Sequence, residues 1–80
     1  MTTAADVEEQ VFKVLRSLAP PMVIERDHWL LADLKLLSDD ASDMIADLER
    51  HYRVKIPPPE WATVLTVQDT IDLVTRYVVK

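Results

Sequence analysis

Ser38 opens the stretch Ser38-Asp39-Asp40-Ala41-Ser42-Asp43-Met44-Ile45-Ala46-Asp47-Leu48. Its residue types describe a helix start: a serine N-cap, two acids in the first turn, then an apolar stripe. As an N-cap, the hydroxyl contributes about 1 kcal/mol by accepting a first-turn amide. As chemistry, the same hydroxyl stands at the positive end of an acidic helix and is a place to attach a group through a phosphodiester. Free amides and the helix dipole favour phosphate there. Asp39 and Asp40 oppose it by like-charge repulsion of up to about 1 kcal/mol when exposed.

The other reactive side chains form weaker groupings. His28 and His51 are far apart and share no ligand spacing with a third group, so no metal site is expected. There is no cysteine, which removes disulfides, thiolate nucleophiles and thiolate metal sites. A Ser-His-Asp triad needs a cleft and an oxyanion hole that a chain this small hardly provides. The carboxylates along the second helix are expected to face water, with no pocket to raise a pKa. The expectation is a protein without catalytic groups of its own.

Eighty residues are read as one domain, 1–80, around one small core. The formal charge of -5, from 14 acids against 9 bases, disfavours nucleic-acid binding and favours basic partner surfaces. No apolar run approaches the roughly 20 residues that span a bilayer, so no membrane association is expected. Met1 to Asp6 lacks the basic start and apolar stretch of a signal peptide, and a cytoplasmic location is expected. Glycine and asparagine are both absent, so the connections are expected to avoid positive φ. That argues for an all-α domain.

The elements that would position Ser38 are set by periodicity. Val7, Val11, Val14, Leu15 and Leu18 predict a first helix over Ala5 to Leu18, ended by Pro20-Pro21. A long connection from Ala19 to Leu37 holds too many apolar residues for a free loop, with Leu30 and Leu34 as expected core anchors. Ala41, Met44, Ile45, Leu48 and Tyr52 predict a second helix over Asp39 to His51. Pro57-Pro58-Pro59-Glu60-Trp61-Ala62 predicts a short third helix with prolines at its start. Thr66 with Asp69 three residues on marks the start of a last helix, striped by Val67, Ile71, Val74 and Val78. Trp29 and Trp61 are expected to pack at the core rim.

The blocks Leu48 to Pro57 and Thr66 to Val74 resemble two stretches of the acyl carrier protein family. Leu48-Glu49-Arg50-His51-Tyr52-Arg53-Val54-Lys55-Ile56-Pro57 is similar to its Leu-Glu-x-x-Phe-x-x-x-Ile-Pro helix exit. Thr66-Val67-Gln68-Asp69-Thr70-Ile71-Asp72-Leu73-Val74 resembles its Thr-Val-x-Asp-x-Ile-x-x-Ile last helix. Counting back without a gap, Asp33-Leu34 falls on the family's Asp-Leu and Ser38 on its modified serine. The family reads Asp-Leu-Gly-x-Asp-Ser-Leu-Asp where this chain reads Asp33-Leu34-Lys35-Leu36-Leu37-Ser38-Asp39-Asp40. The resemblance covers roughly Leu30 to Val78.

The resemblance implies an acyl-carrier-like four-helix bundle of three longer helices, one short helix and a long first loop. It implies a carrier of acyl thioesters on a 4'-phosphopantetheine arm, moved from coenzyme A onto Ser38 by a phosphopantetheinyl transferase. Such a carrier serves lipid, polyketide or peptide synthesis. Asp39, Asp40, Asp43, Asp47 and Glu49 would then dock the transferase and the acyl-transferring or condensing enzymes through their basic surfaces. The acyl chain would lie between helices two and three against Met44, Ile45, Val54, Ile56 and Trp61, in a monomeric protein. Ser42 and Ala46 stand where carriers usually expose larger apolar contacts. The alternative is a degenerate carrier fold that docks a basic partner without an arm.

Overall fold

The computed structural model describes residues 2–79, which contain four α-helices and no strand. They are α1 (Ala4–Leu18), α2 (Ser38–Tyr52), α3 (Pro58–Trp61) and α4 (Val67–Val78). Helix α1 packs against both α2 and α4. Val7, Val11, Val14 and Leu15 form its inner stripe. Met44 and Leu48 come from α2, and Val67, Ile71, Leu73 and Val74 from α4. Burial of these apolar faces, rather than helix propensity, holds short helices together.

The capping chemistry explains two of the starts. Thr3 caps α1 and Thr66 caps α4, each in a reciprocal pair with the acid three residues on. The Asp6 amide donates to Thr3 Oγ1 at 3.2 Å while the Thr3 amide donates to Asp6 Oδ2 at 3.1 Å. The same exchange between Thr66 and Asp69 runs at 3.1 Å in both directions. Thr70, fully buried on α4, satisfies its hydroxyl on the Thr66 carbonyl at 3.1 Å.

The long first connection is tied down as its composition implies. Leu34 and Leu36 are buried, and Leu30 is half-buried against the core. Its backbone is also joined to the start of α4. The Leu30 amide donates to the Leu65 carbonyl at 3.0 Å, Val67 to His28 at 3.0 Å, and Gln68 to Arg26 at 2.9 Å. An isolated extended bridge, Trp29 with Thr66, is part of this seam.

Positive φ is not avoided, contrary to expectation. Lys35 has φ 60 and Arg53 has φ 56. Arg53 ends α2 in the left-handed region, where its own amide and that of Val54 both reach the Glu49 carbonyl. That closure satisfies a helix-end carbonyl, which offsets the steric cost of a side chain in this conformation.

Candidate functional site

Ser38 is the first residue of α2 rather than its N-cap. Leu37 takes the cap position with extended backbone, φ -89 and ψ 178, and its carbonyl accepts the Ala41 amide at 2.9 Å. The Leu37 amide donates to Asp40 Oδ2 at 3.3 Å. An acid at the third helical position can reach back to the cap amide whatever side chain the cap residue carries. The helix therefore begins one residue earlier than the serine suggested. Ser38 is exposed and its hydroxyl has no capping role. The amides of Ser38, Asp39 and Asp40 are those that a helix start leaves without an intrahelical acceptor.

The five acids behind Ser38 are not equivalent. Asp39 and Asp43 are exposed. Asp40 is half-buried and engaged with the Leu37 amide. Asp47 pairs with Arg50 at 3.2 Å, a surface contact of small energetic weight. Glu49 turns inward, where its Oε2 accepts the Ile56 amide at 2.8 Å. Its carboxylate is a fastener between α2 and the segment before α3, so a partner meets mainly Asp39 and Asp43.

Two apolar clefts flank α2. One, of about 570 Å³, is lined by Ile45, Glu49, Ile56, Pro57 and Trp61 among others. Of the expected chain-binding residues it gathers Ile45, Ile56 and Trp61. Met44 is buried in the core and does not line it, while Val54 lines a smaller neighbouring hollow with Arg50 and Arg53. Trp61 is buried rather than at the rim, and its indole nitrogen has no hydrogen-bond partner.

The second cleft, of about 560 Å³, has Ser38 in its wall. Trp29, Leu31, Leu37, Val64 and Leu65 line it as well. Sequence reasoning treated the loop's apolar residues as one anchoring set and missed this cleft. Without a helical or strand period, a loop sequence does not disclose which of its side chains turn outward.

Neither histidine lines the cleft that holds Ser38. Glu25, Asp27 and His28 bring possible ligand atoms within 4.8 Å of one another. The Glu25 amide donates to His28 Nδ1 at 3.1 Å, which engages that nitrogen's lone pair. Nε2 lies 3.9 Å from the Glu25 carboxylate. His51 is exposed and stacks edge-on with Tyr52, with ring centroids 4.7 Å apart. No helix among the described residues is long and apolar enough to cross a membrane. No family model matches the chain, and no curated protein matches it.

Proposed function

We propose that this protein is a specialised, non-catalytic acyl carrier, with the acyl-carrier-like arrangement of its four helices, modified on Ser38. The observation that carries the reading is the uncovered hydroxyl at the N-terminus of α2. A cap serine would hold its oxygen against a first-turn amide; this one leaves it for an incoming transferase. The free amides of the first turn suit a phosphodiester, and Asp39 and Asp40 weaken that preference without removing it.

Lys35 supports the register. It stands where the family motif carries glycine, and its φ of 60 is the backbone geometry that glycine adopts most readily. The cleft of Ile45, Ile56 and Trp61 suits the carried chain. Ile45 lies seven residues along α2 from Ser38, about 10 Å at the helical rise, within reach of a long flexible arm. When attached, 4'-phosphopantetheine supplies the thiol that this cysteine-free chain lacks. Asp39 and Asp43 are the acids best placed to meet basic residues on the transferase and on acyl-transferring or condensing enzymes.

Intact mass after incubation with coenzyme A and a broad-specificity phosphopantetheinyl transferase tests the reading. A gain of one phosphopantetheine that disappears in Ser38→Ala is expected. The order Leu37-Ser38-Asp39, against Asp-Ser-Leu in the family motif, favours a second reading, an armless module that docks basic partners. An unchanged mass with several transferases would select it.

A further inference from the structure

Four large apolar side chains stand exposed together beside Ser38. Trp29 is 49% exposed, Leu31 65%, Leu37 65% and Leu65 54%, and all four line the same cleft of about 560 Å³. Scattered exposed leucines need no explanation, but a cluster around a concavity does.

The backbone under this patch is fastened by carboxylates. The Trp29 amide donates to Asp33 Oδ2 at 2.7 Å, Leu37 to Asp40 Oδ2 at 3.3 Å, and Leu65 to Asp69 Oδ2 at 3.0 Å. Three of the four exposed residues are thus held by a neighbouring acid. The loop-to-α4 seam, in which Leu30 donates to Leu65, holds the two sides of the cleft together. The same acids give the patch a negative surround. The Lys35 Nζ donates to the Ala32 carbonyl at 2.8 Å and forms no ion pair with Asp33, Asp40 or Asp69. Among the described residues, no charged side chain lines the cleft itself.

We propose that this loop-side cleft is a protein-docking site, separate from the acidic face of α2, for a partner segment with an apolar anchor flanked by arginine or lysine. An apolar centre inside a charged border has the layout of a specific protein interface. Trp29 is the side chain best suited to dominate its energetics. Fastening the backbone in advance lowers the ordering cost that a mobile loop would bear on binding. The acids decide between classes of occupant: an anionic lipid surface is repelled by them, whereas a basic helix is drawn in. Ser38 lines this cleft, so the docking described is that of the protein without an arm.

The test uses the unmodified, 15N-labelled protein and three synthetic amphipathic helical peptides of about 18 residues, a length suited to a groove-bound helix. One carries leucine flanked by arginine, one leucine flanked by glutamate, and one serine flanked by arginine. Only the first is expected to shift the amides of Trp29, Leu31, Leu37 and Leu65 together with the Trp29 indole. The double variant Leu31→Ser, Leu65→Ser should weaken that peptide by about tenfold or more while the core resonances stay in place. Leu37→Ser, at a third exposed position, repeats the measurement should the double variant lose its fold. The proposal is overturned if no peptide binds. It is equally overturned if the shifts fall on Asp43 and Asp47, if the variants bind as tightly as the parent, or if charge makes no difference. Sedimentation of the free protein and flotation with phosphatidylserine vesicles complete the test. Self-association through the patch, or capture by the vesicles, would assign the cleft to a different occupant.

Discussion

Glu49 joins α2 to the segment leading into α3, and removing its side chain should loosen that join more than any surface acid can. Its Oε2 accepts the Ile56 amide at 2.8 Å, and Ile56 is only 4% exposed. Glu49→Ala deletes the acceptor and leaves that amide with little access to water. An unsatisfied buried donor costs about 1–3 kcal/mol, and the half-buried setting of Glu49 places the expected loss near 2 kcal/mol. The carbonyl of Glu49, which closes the end of α2 by accepting from Arg53 and Val54, is untouched by the substitution. Alanine is also a better helix former than glutamate, so helix propensity works slightly against the predicted effect. In a domain this small, each kcal/mol moves the melting midpoint by roughly 4–8 °C, so a fall of about 8–16 °C is expected.

Urea unfolding followed by far-ultraviolet circular dichroism measures the effect, with an unchanged m-value as the sign that the folded state remains compact. Glu49→Gln keeps an acceptor oxygen and should lose about 1 kcal/mol or less. Asp43→Ala, at an exposed position of the same helix, should stay within about 0.5 kcal/mol of the parent. The reasoning is refuted if Glu49→Ala matches Asp43→Ala, or if glutamine is as damaging as alanine. The first result would mean that the carboxylate does not hold the fold; the second, that its charge rather than its acceptor oxygen does.

The other predictions concern the ends of α2 and the base of α1. Arg53→Gly removes a left-handed cost of about 1–2 kcal/mol and adds about 0.4–1 kcal/mol of chain entropy to the unfolded state. A net gain of roughly 0.5–1 kcal/mol in urea titration is expected. Ser38→Ala should change stability by less than about 0.5 kcal/mol, since a lost N-cap would cost about 1 kcal/mol and Ser38 is not the cap. Tyr52 holds its phenolic proton above the ordinary value of 10.0, first through burial and then through the Asp6 carboxylate. The folded state therefore binds that proton more tightly than the unfolded chain. This contribution is complete below about pH 10 and is lost as the pH rises through the folded value. Tyr52→Phe should flatten that part of the alkaline decline, read from denaturation curves at about pH 9 to 11.

The three longer helices were legible because each carries a period, and the short third because prolines open it. Pro20-Pro21 closes the first, and Thr66 with Asp69 opens the last, in sequence and structure alike. What escaped was geometry that residue type alone does not encode. A serine before two acids reads as a cap, yet Asp40 reaches back to a backbone amide and makes Leu37 the cap instead. A chain without glycine or asparagine reads as one that avoids left-handed turns. Lys35 and Arg53 adopt them because hydrogen bonds offset the strain: the Lys35 amide meets the Leu31 carbonyl, and the Arg53 and Val54 amides meet that of Glu49.

The same shift of one residue bears on how Ser38 would be approached. With Leu37 as the cap, its side chain is left outside the helix, 65% exposed, in the wall of the loop-side cleft with Trp29 and Leu65. Asp39 on the other side of Ser38 is exposed within the first turn. The two neighbours of the serine thus offer contrasting surfaces, apolar toward the loop and acidic along the helix. In the family motif the acid precedes the serine and the leucine follows it. A partner fitted to that order would bring its basic group over Leu37 and its apolar group over Asp39, two unfavourable contacts within one residue of the hydroxyl. If the protein is the carrier proposed above, exchanging them, in Leu37→Asp with Asp39→Leu, should therefore raise the rate at which a broad-specificity transferase modifies Ser38. Intact-mass time courses at equal protein concentration measure that rate. An unchanged or lower rate in a folded double variant would mean that the order of these two residues does not govern access to the serine.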